Sequence, residues 1–116
     1  MAFVLRWTDE AAATYNELRS AAERARTNRA KTRKSKASKQ EGLFKQIAGA
    51  LKKLQDNPRH PGLNSHPYSD LDHPFDASEK VWESYAQNDT PGAYRIFWCY
   101  GPDRNNITIV AITPHP

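Results

Sequence analysis

The residues of this chain able to do chemistry are a strand-borne arginine, four histidines and a single cysteine. Arg95 interrupts an apolar run at residues 93–100, Ala-Tyr-Arg-Ile-Phe-Trp-Cys-Tyr. An unpaired guanidinium is too costly to bury, so Arg95 is expected to face solvent or a cleft and to mark the working face; the alternative is a structural ion pair with Glu83 on the neighbouring strand. His60, His66 and His73 lie in a proline-rich stretch and His115 follows the last apolar run. An imidazole titrating near neutrality can give or take a proton, but the acids scattered around these four give no metal-ligand spacing, so no metal or other cofactor is expected. Cys99 sits mid-strand without a partner, which reads as a small core residue in a reducing compartment.

Around these residues the last third of the chain reads as a hairpin. The run at 93–100 and a second, Ile-Thr-Ile-Val-Ala-Ile at 107–112, are rich in β-branched and aromatic residues, and a polar Gly-Pro-Asp turn begins the connection between them. A further strand is predicted at 80–86, joined to the hairpin through a turn at 88–92. Trp82 and Trp98 on these strands read as core rather than as base-stacking platforms.

The N-terminal half supplies a short strand at 3–7, then Thr8 as a helix cap with Asp9 and Glu10 in the first turn. Ala11, Tyr15, Leu18, Ala22 and Ala25 form a narrow apolar stripe, and Trp7 at the junction is expected to staple the helix. Residues 24–39 carry eight bases (Arg24, Arg26, Arg29, Lys31, Arg33, Lys34, Lys36, Lys39) and no acid, and read as a frayed helix end or mobile linker that is either a solvated charge run or a contact for phosphates. Ser38 and Glu41 make a capping box for a second helix with apolar positions Phe44, Ile47, Leu51 and Leu54, ended by Asn57-Pro58. Residues 57–78 read as one long irregular connection.

The expected fold is therefore a single α+β domain spanning residues 1–116: two helices on one face of a small, mainly antiparallel four-stranded sheet, in the order β-α-α-β-β-β, with the other face open for a ligand. Residues 1–60 hold 14 Lys and Arg against 6 acids, and residues 61–116 hold 3 against 7. That asymmetry points to an anionic partner for the helical half, nucleic acid ahead of membrane. No apolar stretch suits a signal peptide or a span, so a soluble cytoplasmic protein is expected.

In this order and spacing the motifs resemble the RelE/ParE superfamily of toxins from bacterial toxin-antitoxin pairs, nearest the RelE, YafQ and HigB-type mRNA interferases. The resemblance rests on the first strand and helical pair, on Asn57-Pro58-Arg59-His60-Pro61-Gly62-Leu63 followed by His66, on Tyr94-Arg95-Ile96-Phe97, and on Ile112-Thr113-Pro114-His115. It implies ribosome-dependent cleavage of mRNA without a metal, the substrate's 2′-hydroxyl attacking the adjacent phosphate, and an acidic antitoxin as partner. Arg95 then matches the family's strand arginine, whose fork suits a phosphate. His115 matches a histidine serving in acid-base catalysis, and His66 a second proton carrier. Tyr85 stands where relatives often offer an arginine or histidine; a phenol can donate a hydrogen bond or stack on a base but carries no fixed charge. The basic run, with Lys45, Lys52 and Lys53 of the second helix, would hold ribosomal RNA. Tyr85 also keeps open two other functions for the fold, a ParE-like inhibitor of DNA gyrase and a non-toxic interaction module.

Overall fold

The computed structural model describes residues 2–32, 38–87 and 92–114. Its order is β1 (Val4–Trp7), α1 (Asp9–Thr32), α2 (Lys39–Asp56), one 3-10 turn (Pro61–Leu63), β2 (His66–Tyr68), β3 (Val81–Tyr85), β4 (Tyr94–Tyr100) and β5 (Asn106–Pro114). The strands form one sheet in the order β1-β5-β4-β3-β2, with β1 parallel to β5 and the other neighbours antiparallel. The sheet is five-stranded rather than four. The extra strand is β2, inside the stretch expected to be irregular. A proline at its centre hides it from a pattern search, and as an edge strand it tolerates the missing donor because it pairs on one side only.

α1 begins as expected, with the Thr8 hydroxyl accepting from the Ala11 N–H at 3.1 Å and Trp7 packed on Tyr15 with ring centroids 5.0 Å apart. It then runs as regular helix to Thr32, so residues 24–32 are neither frayed nor linker. An ion pair supports this extension: the Arg29 guanidinium forks onto both Glu41 oxygens at 2.9 and 3.1 Å. Glu41 also closes the capping box with Ser38. The Arg29 fork and the Ser38 N–H together hold the Glu41 carboxyl down to about 2, and Arg29 is raised in turn.

Both helices cover one face of the sheet. Ala11 of α1 and Ile47, Leu51 and Leu54 of α2 pack with Ile96 and Trp98 of β4 and with Ile107, Ile109 and Ile112 of β5. Ile109 and Ile112 are three positions apart, which an even strand would send to opposite faces. A bulge solves this: Phe97 pairs with Ala111 but Trp98 with Ile109, so Val110 is skipped and both isoleucines reach the core. A second, smaller cluster, Val81, Phe97 and Ala111 with Tyr68 and Leu71, lies on the sheet face away from the helices. Cys99 is fully buried, and burial pushes its thiol up to about 11, as befits a core residue.

Candidate active site

Sheet register places the polar residues of β2, β3 and β4 side by side. His66 pairs with Glu83 and Tyr85 with Arg95, and alternation along β3 sends Glu83 and Tyr85 to the face that Phe97 and Arg95 share. This is the face the helices leave open.

Glu83 is the centre of the group. One carboxylate oxygen lies 2.5 Å from His66 Nε2, and the other 3.7 Å from Arg95 Nε. The Arg95 guanidinium carbon stands 3.9 Å from the centroid of the Tyr85 ring, and the His66 ring meets the same ring edge-on at 5.6 Å. His66 Nδ1 lies 3.1 Å from the Asn64 carbonyl. Since a carbonyl can only accept, Nδ1 carries hydrogen, and the Nε2–Oε1 contact holds a second proton that either partner can carry. Such a carboxylate-imidazole pair orients the ring, and Nδ1 is engaged by the Asn64 carbonyl.

Accessibility divides the group. The His66 side chain is 43% exposed, whereas those of Glu83 and Arg95 are 5% and 2% exposed. Arg95 therefore does not face solvent or an open cleft. The Glu83 carboxylate and the face of Tyr85 stand where water would otherwise meet it, and both help to make a buried guanidinium tolerable. The ion pair with Glu83, the alternative reading of the sequence, is present.

Glu83 is the member that sequence reasoning did not place in the site. The signal was there: a carboxylate inside Val81-Trp82-Glu83-Ser84 interrupts an apolar strand as Arg95 does, and two opposite charges on adjacent strands point to one cluster. His115 lies outside the described residues. Thr113 of β5 pairs with Arg95 and Pro114 with Tyr94, at the rim that carries the group. His60 and His73 serve the backbone instead. His60 Nδ1 accepts from the Gly62 N–H, and buried His73 accepts from the N–H groups of Phe75 and Asp76 and donates through Nε2 to the Tyr100 carbonyl. Among the described residues no group of three or more His, Cys, Asp and Glu could hold a metal ion.

The predicted basic contacts separate in the same way. Lys45 and Lys53 of α2 line a cavity of about 420 Å³ that reaches Tyr85. Lys52 lies apart from it, paired with Asp56 at 3.2 Å. Arg24, Arg26, Lys31 and Lys39 are exposed. Arg29 is committed to Glu41 and is a clamp between the helices rather than a free cation. Arg33, Lys34 and Lys36 lie outside the described residues.

Three solved structures share this architecture over nearly their whole length. A YoeB/ParE toxin from Agrobacterium tumefaciens superposes with a TM-score of 0.58 at 11% identity, covering 97% of this chain and 98% of its own. The YoeB dimer from Staphylococcus aureus gives 0.60 at 14% identity with both chains fully covered. The chain has the fold of the RelE/ParE toxins. The archaeal RelE-RelB complex from Pyrococcus horikoshii OT3 adds a third match, 0.56 at 10% identity over 98% of this chain and 96% of that one. No family model and no curated protein matches the sequence. Among the described residues of this RelE-type fold, no helix is long and apolar enough to cross a membrane.

Proposed function

We propose that the protein is the toxin of a toxin-antitoxin pair and cleaves mRNA on the ribosome. The observation that carries this reading is the His66-Glu83-Arg95-Tyr85 group on the one sheet face without helices. Cleavage by an internal 2′-hydroxyl forms a bond from the 2′-oxygen to phosphorus and breaks the one to the 5′-oxygen. One proton must leave the nucleophile and another must reach the leaving group. His66 fits the second role: its Nδ1–H can pass to the 5′-oxygen once Asn64 gives way, and the ring keeps its Nε2 proton against Glu83. His115, which follows Pro114 in the sequence, keeps the acid-base role that the family resemblance gives it and is the candidate for the base. Arg95 offsets charge on the phosphorane from behind Tyr85, whose ring is placed to stack on a base or to turn aside. Lys45 and Lys53 continue the path for the strand's phosphates, and an acidic antitoxin would neutralise the basic helices; the RelE neighbour is likewise found in a complex, with RelB.

The test is primer extension on cellular mRNA after induced expression, with His66→Ala in parallel. Cuts within translated messages that disappear in the variant support the reading, and intact messages in arrested cells reject it. One observation favours a second reading. Arg95 is enclosed by Glu83 and Tyr85 rather than presented to solvent, which suits a binding inhibitor of the ParE type, detected by loss of gyrase supercoiling in vitro.

A further inference from the structure

A second concave site lies on the helix side of the sheet, beyond the end of α2. Trp82 and Trp98 stack there with centroids 5.9 Å apart and planes 18° from parallel, and Tyr100 meets Trp98 edge-on at 5.1 Å. Trp98 is locked in place: its indole N–H donates to the Ser84 hydroxyl at 2.7 Å, which contacts the Ser65 hydroxyl at 2.6 Å. Trp82 is only half-buried, with the flexible Lys80 side chain placing Nζ 5.9 Å from its ring centroid, and Tyr100 is 41% exposed, with Phe3 at 6.2 Å between centroids, so the part of each ring left uncovered borders the cavity. Arg59 and His60 line the resulting cavity of about 470 Å³, and Arg59 is exposed. Because His60 Nδ1 accepts from the Gly62 N–H, its neutral ring carries the proton on Nε2, a donor.

A neighbouring cavity also uses Trp82 and Tyr100, but its lining includes Asp76, Glu79 and Asp103. The Trp98 cavity has no carboxylate in its lining. An aromatic platform with a cation, Arg59, and without acids is the arrangement that holds unpaired bases and their phosphates. The volume lies in the range of small-ligand sites.

We propose that this cavity is a stacking site for one unpaired base of single-stranded RNA, with the adjoining phosphate on Arg59. The base lies against Trp82 and Tyr100, and Asn64, Ser65 and His60 supply donors and acceptors for its edge. The site rests on the RNA-directed reading for the identity of its strand but not on cleavage, since it lies on the opposite face from Glu83 and Arg95.

The experiment is a titration of the full chain, labelled at its indole nitrogens, with an unstructured 2′-O-methyl RNA tetranucleotide, which lacks the attacking hydroxyl. The Trp82 indole signal should move while that of Trp7, packed on Tyr15 under α1, stays still. Trp82→Leu should weaken binding roughly 5- to 150-fold with its salt dependence kept. Arg59→Ala, an exposed loop change safe for the fold, should lower the logarithmic salt slope by about 0.7. Three results would overturn the site: RNA binding that leaves the Trp82 signal unmoved, an abasic oligomer that binds equally well with the same shift, or an acidic peptide that moves Trp82 where RNA does not. Loss of mRNA cutting with this binding intact would sink the nuclease reading alone.

Discussion

Glu83 serves two partners, His66 and Arg95, by giving one oxygen to each, and this sets what substitutions in the group will do. Arg95→Ala removes the charge that faces a buried carboxylate, so it should cost about 3–5 kcal/mol of stability besides any activity; a lowered denaturation midpoint checks this. A dead Arg95→Ala variant would therefore not by itself prove a catalytic role. His66 is the cleaner probe because its side chain is 43% exposed. His66→Gln should leave the melting temperature nearly unchanged while cutting mRNA cleavage about 10²- to 10⁴-fold, the usual worth of a positioned acid or base. Cleavage at the parent rate would remove His66 from the mechanism.

Among the elements, the contact between α1 and α2 depends on ionisation at one residue. Glu41 has a folded-state value of about 2 against an ordinary 4.5. A carboxylate depressed in this way adds stability that is fully present above pH 4.5 and is lost as the pH falls toward 2. The parent should therefore melt above Glu41→Gln at pH 6, and the two curves should converge near pH 2; a constant gap would show that the Arg29 fork contributes nothing. The helix-sheet contact is apolar and insensitive to pH. Leu54 is fully buried in it, so Leu54→Ala should lower stability by about 2–5 kcal/mol in chemical denaturation at either pH.

At the scale of the whole molecule, the charge asymmetry falls on identifiable surfaces. Lys45 and Lys53 face the cavity beside Tyr85, whereas Arg29 is neutralised by Glu41. Replacing Lys45 and Lys53 with Gln should weaken ribosome binding and reduce its logarithmic salt slope by roughly 0.7 to 0.9 for each phosphate no longer neutralised. Replacing Arg29 should leave that slope unchanged and lower the melting temperature instead. The reverse pattern would place the RNA surface on α1 rather than beside the sheet.

The elements legible in the sequence were those whose signals are local. Thr8 and Ser38 mark helix starts because capping is decided within four residues. The β4-β5 hairpin follows from two apolar runs around a polar turn, and the order of elements with its spaced motifs was enough to recognise a RelE-type fold. Tertiary structure decided the rest. The β2 strand exists because β3 offers it a partner, which no property of His66-Pro67-Tyr68 reveals. The bulge at Val110 is fixed by which isoleucines the helices must meet. Arg95 was legible as a residue of consequence but not as a buried one, because Glu83 and Tyr85, which lie against it, come from another strand. A single sequence displays charges one after another; only the register of β2, β3 and β4 sets His66, Glu83, Tyr85 and Arg95 against each other.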